Sequence, residues 1–152
     1  MSNRVQIDKQ GAAANRSLVA LSTTVEEAAA AVNIGPAFME LIRLRVSQLN
    51  GCAFCLRTHT RAAVDAGEDV DRLAVLSSWR ETEYFTERES AALELAEAVT
   101  LVSHGPISED VYTRVAQTLS EAEISAVSWI AIVMNAFNRV RITNRQPVGP
   151  SD

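Results

Sequence analysis

Apolar residues along this chain recur at three- and four-residue spacing, and no stretch alternates with period two for long enough to make a strand. The pattern predicts an all-α protein of about six to eight helices. The first twenty-odd residues lack strong periodicity and are expected to run over the surface. Thr24-Val25-Glu26-Glu27 has the spacing of a capping box, so a short alanine-rich helix is expected from there to about Asn33–Gly35. Pro36 suits the first turn of the next helix, where its missing N–H costs nothing. Phe38, Leu41, Ile42, Arg45 and Leu49 then recur at helical spacing. Asn50-Gly51 ends that helix, because both residues tolerate left-handed backbone. Another helix is expected from Cys52 to Gly67. Capping boxes at Thr86–Glu89 and Ser120–Glu123 open two more, and Ser108 caps a shorter one through Ala116. Between Ile124 and Phe137 the apolar surface is broad, as in a buried or interface helix.

Composition narrows the function classes. The chain has 152 residues, 47% hydrophobic and 22% charged, which suits one soluble domain. Aromatics are only 5%, and small aliphatic side chains favour packed helices over sheets. The net charge is -5 with no basic stripe, so nucleic acid is not an expected partner. No apolar run approaches a membrane span, and no leader pattern is evident at the N-terminus. These features predict a cytoplasmic protein. A permanent disulfide is out of place in a reducing cytosol, so the two cysteines need another explanation.

Those cysteines stand in Cys52-Ala53-Phe54-Cys55, with His59 one turn beyond. Three-residue spacing puts both thiols on one helix face, within reach of a disulfide. So short a bridge constrains few unfolded conformations, and suits reversible redox chemistry better than stabilisation. A helix start also favours a thiolate, through free N–H groups and the macrodipole. His59 follows Cys55 by four residues and Cys52 by seven, both spacings that return to one face. Its imidazole is placed to accept a thiol proton. Glu40, an acid in an apolar stretch, would orient that imidazole if the helix after Asn50-Gly51 returns antiparallel. The expected relay runs Glu40 to His59 to Cys55, with Cys52 resolving. Competing readings are a buried apolar cysteine pair, a zinc site of Cys52, Cys55 and His59 with Glu40 as fourth ligand, and an exposed, idle Glu40.

The same residues resemble a known family. Glu40, Val46–Cys55 and His59-Thr60 are similar to the core motif of AhpD-like (alkylhydroperoxidase D-like) proteins, within the wider carboxymuconolactone decarboxylase family. Trp79-Arg80-Glu81, Phe85-Thr86, Arg88-Glu89, Ala91–Leu93, Glu97–Thr100, Asn135–Arg139 and Pro147–Gly149 extend the resemblance over residues 15–149, read as one domain. It implies an all-helical fold assembling as trimers or hexamers, and thiol-dependent peroxidase or disulfide-reductase activity. It implies Cys55 as the cysteine that attacks peroxide, Cys52 as the resolving one, and His59 and Glu40 as the proton relay. Phe54 departs from the strongest peroxidase relatives, which carry a second histidine there. The helix dipole favours attack by Cys52; His59 and the family pattern favour Cys55, which we take.

The expected partners are therefore a hydroperoxide, a thiol or dithiol reductant and further copies of the chain, with no cofactor and no resident metal. The rival functions are an electron-relay disulfide reductase and a non-enzymatic redox sensor. Outside the motif, Trp79 is a candidate wall of the dithiol pocket or a packing residue. Asn135 and Asn138 are candidates to meet the site, a neighbouring subunit or a buried hydrogen bond. His104 is expected at a helix end. Arg43 and Arg45 are expected either in salt bridges between subunits or in solvent.

Overall fold

The structure, a computed structural model, describes residues 4–150. Eight α-helices follow one another in this stretch: α1 (Ile7–Gln10), α2 (Ala12–Ala31), α3 (Pro36–Asn50), α4 (Ala53–Asp65), α5 (Val70–Val75), α6 (Glu87–Thr100), α7 (Glu109–Thr118) and α8 (Glu121–Asn144). Short 3-10 turns lie at Leu76–Glu81 and Val102–His104, the latter ending on the exposed His104. No strand occurs among the described residues.

Helix α3 is the axis of the fold, packed against α4, α6 and α8. A helix in that position must be apolar on more than one side. Its Met39, Ile42 and Val46 join α2, α6 and α8 in the main core, with Ala29, Ala92, Leu95, Val127, Ile130 and Met134. Leu41 and Leu44 face the other way, into a smaller core with Ala63, Leu76, Trp79 and Leu93. All this forms a single compact domain.

The caps at Thr86 and Ser120 form as the sequence predicts, each with the reciprocal Glu89 or Glu123 bond. Ser108 caps α7, which runs two residues past the expected Ala116. The Thr24 box does not form. Residues 12–31 make one continuous helix, and the Thr24 hydroxyl donates to the Ala20 carbonyl at 3.3 Å. The reason is local. No glycine or proline interrupts the run, so no chain break precedes Thr24, and its hydroxyl bonds back one turn instead. Residues 7–10 and 12–31 are accordingly helical, and most of the described residues before Leu21 lie at the surface, as expected. Only Val25 and Ala29 of α2 are buried, which leaves its apolar periodicity faint.

Between α3 and α4 the chain reverses over two residues, Gly51 and Cys52. Gly51 has φ 66°, its N–H donates to Gln48 at 3.3 Å, and the Cys52 N–H donates to Ser47 at 3.1 Å. This double bond pattern closes the C-terminus of α3. It sends α4 back alongside α3 and puts Cys52 at the new helix start.

Candidate active site

Cys52 is the N-cap of α4, and its sulfur accepts the Cys55 N–H at 3.3 Å. A disulfide joins Cys52 and Cys55, whose Cα atoms are 5.3 Å apart. Both are buried. The turn that carries them is clamped from behind. The Asn50 amide donates to Asn135 at 2.9 Å and to Asn138 at 2.8 Å, both on α8. Asn138, with no exposed surface, donates in turn to the Ser47 hydroxyl, and Asn135 to the Thr100 hydroxyl of α6. Asn135 and Asn138 thus meet the dithiol turn through part-buried hydrogen bonds, and Asn138 makes a fully buried one to Ser47. Three helices hold it through amides that leave little freedom, since a buried polar group must keep its partners.

The antiparallel return brings Glu40 to His59. The Glu40 Oε2 lies 2.6 Å from the His59 Nδ1. Its Oε1 accepts from Arg43 at 2.7 Å, and Arg43 reaches on to Glu26 of α2 at 2.6 Å. Burial pushes the Glu40 carboxyl up, but the hydrogen bonds and charges of His59 and Arg43 outweigh it and hold the group below its ordinary range. An ionised carboxylate only accepts, so Nδ1 carries a proton, and in the neutral ring the lone pair is on Nε2. That is the nitrogen available as a base.

Cys55 and His59 border one cavity of about 180 Å³, walled by Phe54, Met134 and Phe137 and flanked by Arg141. Cys52 does not border it. Met134, Phe137 and His59 also separate it from a second cavity of about 150 Å³, which reaches Ser22, Glu26 and Arg43. The four residues singled out from sequence, Cys52, Cys55, His59 and Glu40, are therefore brought together. Sequence reasoning placed Met134 and Phe137 only on a broad apolar helix face and did not single out Arg141; all three lie on α8 more than seventy residues from the motif, and nothing local ties them to it.

For Trp79 the packing reading holds, and for Arg43 and Arg45 the expectation is corrected. Trp79 does not reach the dithiol cavity; it packs in the smaller core and donates to Glu97 at 2.9 Å. Arg43 and Arg45 are not free for a partner subunit. Arg43 is held by Glu40 and Glu26, and Arg45 by Glu97 at 2.6 Å. Each faces a buried acid that needs a cation within its own chain. Glu97 also takes Arg80, so burial of its carboxyl is again outweighed, by Trp79, Arg80 and Arg45, and it stays below its usual range. As for a metal, the oxidised pair offers no thiolate, and Glu40 already pairs with His59 and Arg43. Among the described residues, no group of three or more His, Cys, Asp and Glu side chains is gathered to hold one.

The sequence profile of the carboxymuconolactone decarboxylase family matches residues 18–98, from α2 through most of α6. The chain belongs to this family. Within it, the fold is AhpD-like. The chain is similar to the crystal structure of a protein of unknown function from Agrobacterium tumefaciens, suggested to be the antioxidant defence protein AhpD. The TM-score is 0.88 at 27% identity, covering 99% of this chain and 100% of that one. It is also 39% identical over 103 residues to the uncharacterized protein YdfG of Bacillus subtilis, covering 68% of this chain and 70% of YdfG. The uncharacterized protein YnjA of Escherichia coli is 28% identical over 83 residues, covering 55% of this chain and 45% of YnjA.

Proposed function

We propose that this protein is a thiol-dependent peroxidase that reduces organic hydroperoxides through the Cys52–Cys55 pair. The observation that carries the reading is the shared cavity: Cys55 and His59 border the same apolar pocket, while Glu40 fixes the far nitrogen of the imidazole. In the reduced protein, His59 Nε2 takes the Cys55 proton, and Glu40 compensates the charge that the ring acquires. The Cys55 thiolate attacks the terminal peroxide oxygen. The O–O bond breaks, Cys55 becomes a sulfenic acid, and the leaving alkoxide recovers the proton from His59 as an alcohol. Cys52 then displaces hydroxide from the sulfenic sulfur, forming the disulfide and water. A dithiol reductant restores the pair by exchange, becoming a disulfide itself. Overall, one hydroperoxide and one dithiol give an alcohol, water and a disulfide. The two cysteines divide the work by position. Cys55 faces the cavity, and Cys52 sits where the helix N–H groups favour a thiolate, which makes it the better leaving group when the disulfide is reduced.

The same reading places the protein where thiol reductants are plentiful, as in the cytoplasm, and as an assembly of several copies. The test is turnover of cumene hydroperoxide with a dithiol reductant, counted per subunit. Many equivalents are expected, and Cys55→Ser should abolish them. Full turnover in Cys55→Ser overturns the proposal. Arrest after one disulfide would instead identify a redox sensor, and rapid disulfide exchange without peroxide turnover an electron relay.

A further inference from the structure

The cavity beside Cys55 has an uneven rim. Its body is apolar, formed by Phe54, Met134 and Phe137. One lining residue, Arg141, is cationic, and a second cation, Arg57, lies beside the Phe54 that walls it. The Arg141 guanidinium lies 5.1 Å from the Phe54 ring centroid, and the Arg57 guanidinium lies 5.9 Å from the same centroid. Two positive charges thus lie near the Phe54 ring. The compensating negative charge is incomplete. Arg141 gives one N–H to Asp8 at 3.1 Å, and a guanidinium has five. Asp8 is itself shared with the Asn144 amide and the Lys9 N–H. Arg57 donates to the Gly149 carbonyl at 2.8 Å, a neutral acceptor, and no carboxylate among the described residues pairs with it. Two cations and one anion leave the rim positive on a chain whose net charge is -5. A local reversal of sign beside a reactive group selects and attracts charged ligands.

The volume limits the ligand. A dry cavity of about 150 Å³ is known to take up one benzene molecule. At about 180 Å³, this one has room for a single aromatic ring or a short alkyl chain.

Resting on the peroxidase reading, we propose that the favoured substrates are small organic hydroperoxides that carry a carboxylate. The apolar body fills the space between Phe54, Met134 and Phe137, the peroxide group meets Cys55, and the carboxylate stays at the mouth against Arg141 and Arg57. Phe54, in the place of a second histidine, is then a specificity element: it lines the pocket with apolar surface and offers its ring to both guanidiniums.

The test compares cumene hydroperoxide with its para-carboxylate under single-turnover conditions. Pre-reduced full-length protein is mixed with each peroxide, and disulfide formation is followed by thiol counting, so that no reductant enters the rate. The carboxylate is expected to react about three- to tenfold faster, as one partly exposed charge cluster would give. That ratio should fall towards one in Arg57→Gln, in Arg141→Gln and in about 1 M salt, where the screening length is about 3 Å. General damage to the fold would slow both peroxides alike and leave the ratio standing. A ratio of one in the wild-type protein overturns the inference, as does a ratio that survives both substitutions together. If neither peroxide forms the disulfide, the peroxidase reading itself fails. If both do so at equal rates, that reading stands and only the carboxylate preference falls.

Discussion

Glu40 serves His59 with one oxygen and Arg43 with the other, so replacing it tests orientation and charge together. Glu40→Gln keeps the size of the side chain and removes its charge. Peroxide reduction is expected to drop at least about tenfold, within the roughly 10²- to 10⁴-fold that a positioned acid–base group supplies. The same carboxyl also links stability to pH. It is held below its ordinary range in the folded protein, so its contribution is complete above that range and disappears as pH falls through the lowered value. Urea midpoints should therefore fall from about pH 5 towards pH 3 in the wild type and fall less steeply in Glu40→Gln. Glu97 makes the purely structural comparison, because it touches no cavity by the dithiol. Glu97→Ala strands Arg45, Arg80 and the Trp79 N–H, and should cost about 3 kcal/mol in denaturant unfolding. The motif residues were legible in the sequence because Cys52, Cys55 and His59 share one helix face by spacing, and because Asn50-Gly51 announces the reversal that returns α4 to Glu40. The Glu26–Arg43 link was not legible. It depends on the rotational setting of α2, and an alanine-rich helix with two buried residues gives no face to read.

Helix starts show what a short motif can and cannot specify. Thr24, Thr86 and Ser120 all stand three residues before a glutamate, yet only the latter two are caps. The difference lies upstream. Pro-free, Gly-free helix runs into Thr24, whereas non-helical residues precede Thr86 and Ser120, which are themselves extended and leave N–H groups for their hydroxyls to satisfy. Substitution should separate the cases. Ser120→Ala is expected to cost about 1 kcal/mol. Thr24→Ala should cost close to nothing or stabilise slightly, since alanine is the better interior helix former. Unfolding midpoints of the two variants measured side by side decide it, and equal losses would count against the continuous α2. The turn between α3 and α4 is the opposite situation, where local signal and tertiary support agree. Gly51 supplies the left-handed residue, and Asn50 supplies the clamp to α8 that the pattern of breakers alone did not reveal. Asn135 and Asn138 were visible as polar interruptions in an apolar helix. Their partner was not, because it lies more than eighty residues away and only the packing of α8 on α3 makes the pair.

At the scale of the whole molecule, one surface stays unpaid for by the chain's own packing. Helices α2 and α8 pack together, but they leave an apolar trough of about 530 Å³ between Leu21, Ala28, Val32, Ala126 and Trp129. Trp129 is 46% exposed and Ile132 44%, on the helix that supplies Val127, Ile130, Val133 and Met134 to the core. Helix α8 is thus apolar around most of its circumference, and a helix of that kind is normally buried on all those sides. The broad apolar stretch from Ile124 to Phe137 was legible from sequence; which part of it faces inward was not, since residues on every side of the helix are apolar. A trough with Trp129 at its edge is the sort of patch that marks an interface. Further copies of this chain are the proposed occupants, giving a trimer or hexamer. Sedimentation or light scattering at micromolar concentration should report a multiple of the 16.5 kDa chain mass. Trp129→Glu, which places a charge in the trough and leaves the core of α8 intact, should shift that mass towards the monomer without loss of helical circular dichroism. A wild-type protein that sediments as a clean monomer, with the trough open to water, would refute the assembly. It would leave the chemistry at Cys55 standing, because every group in the proposed relay belongs to one chain.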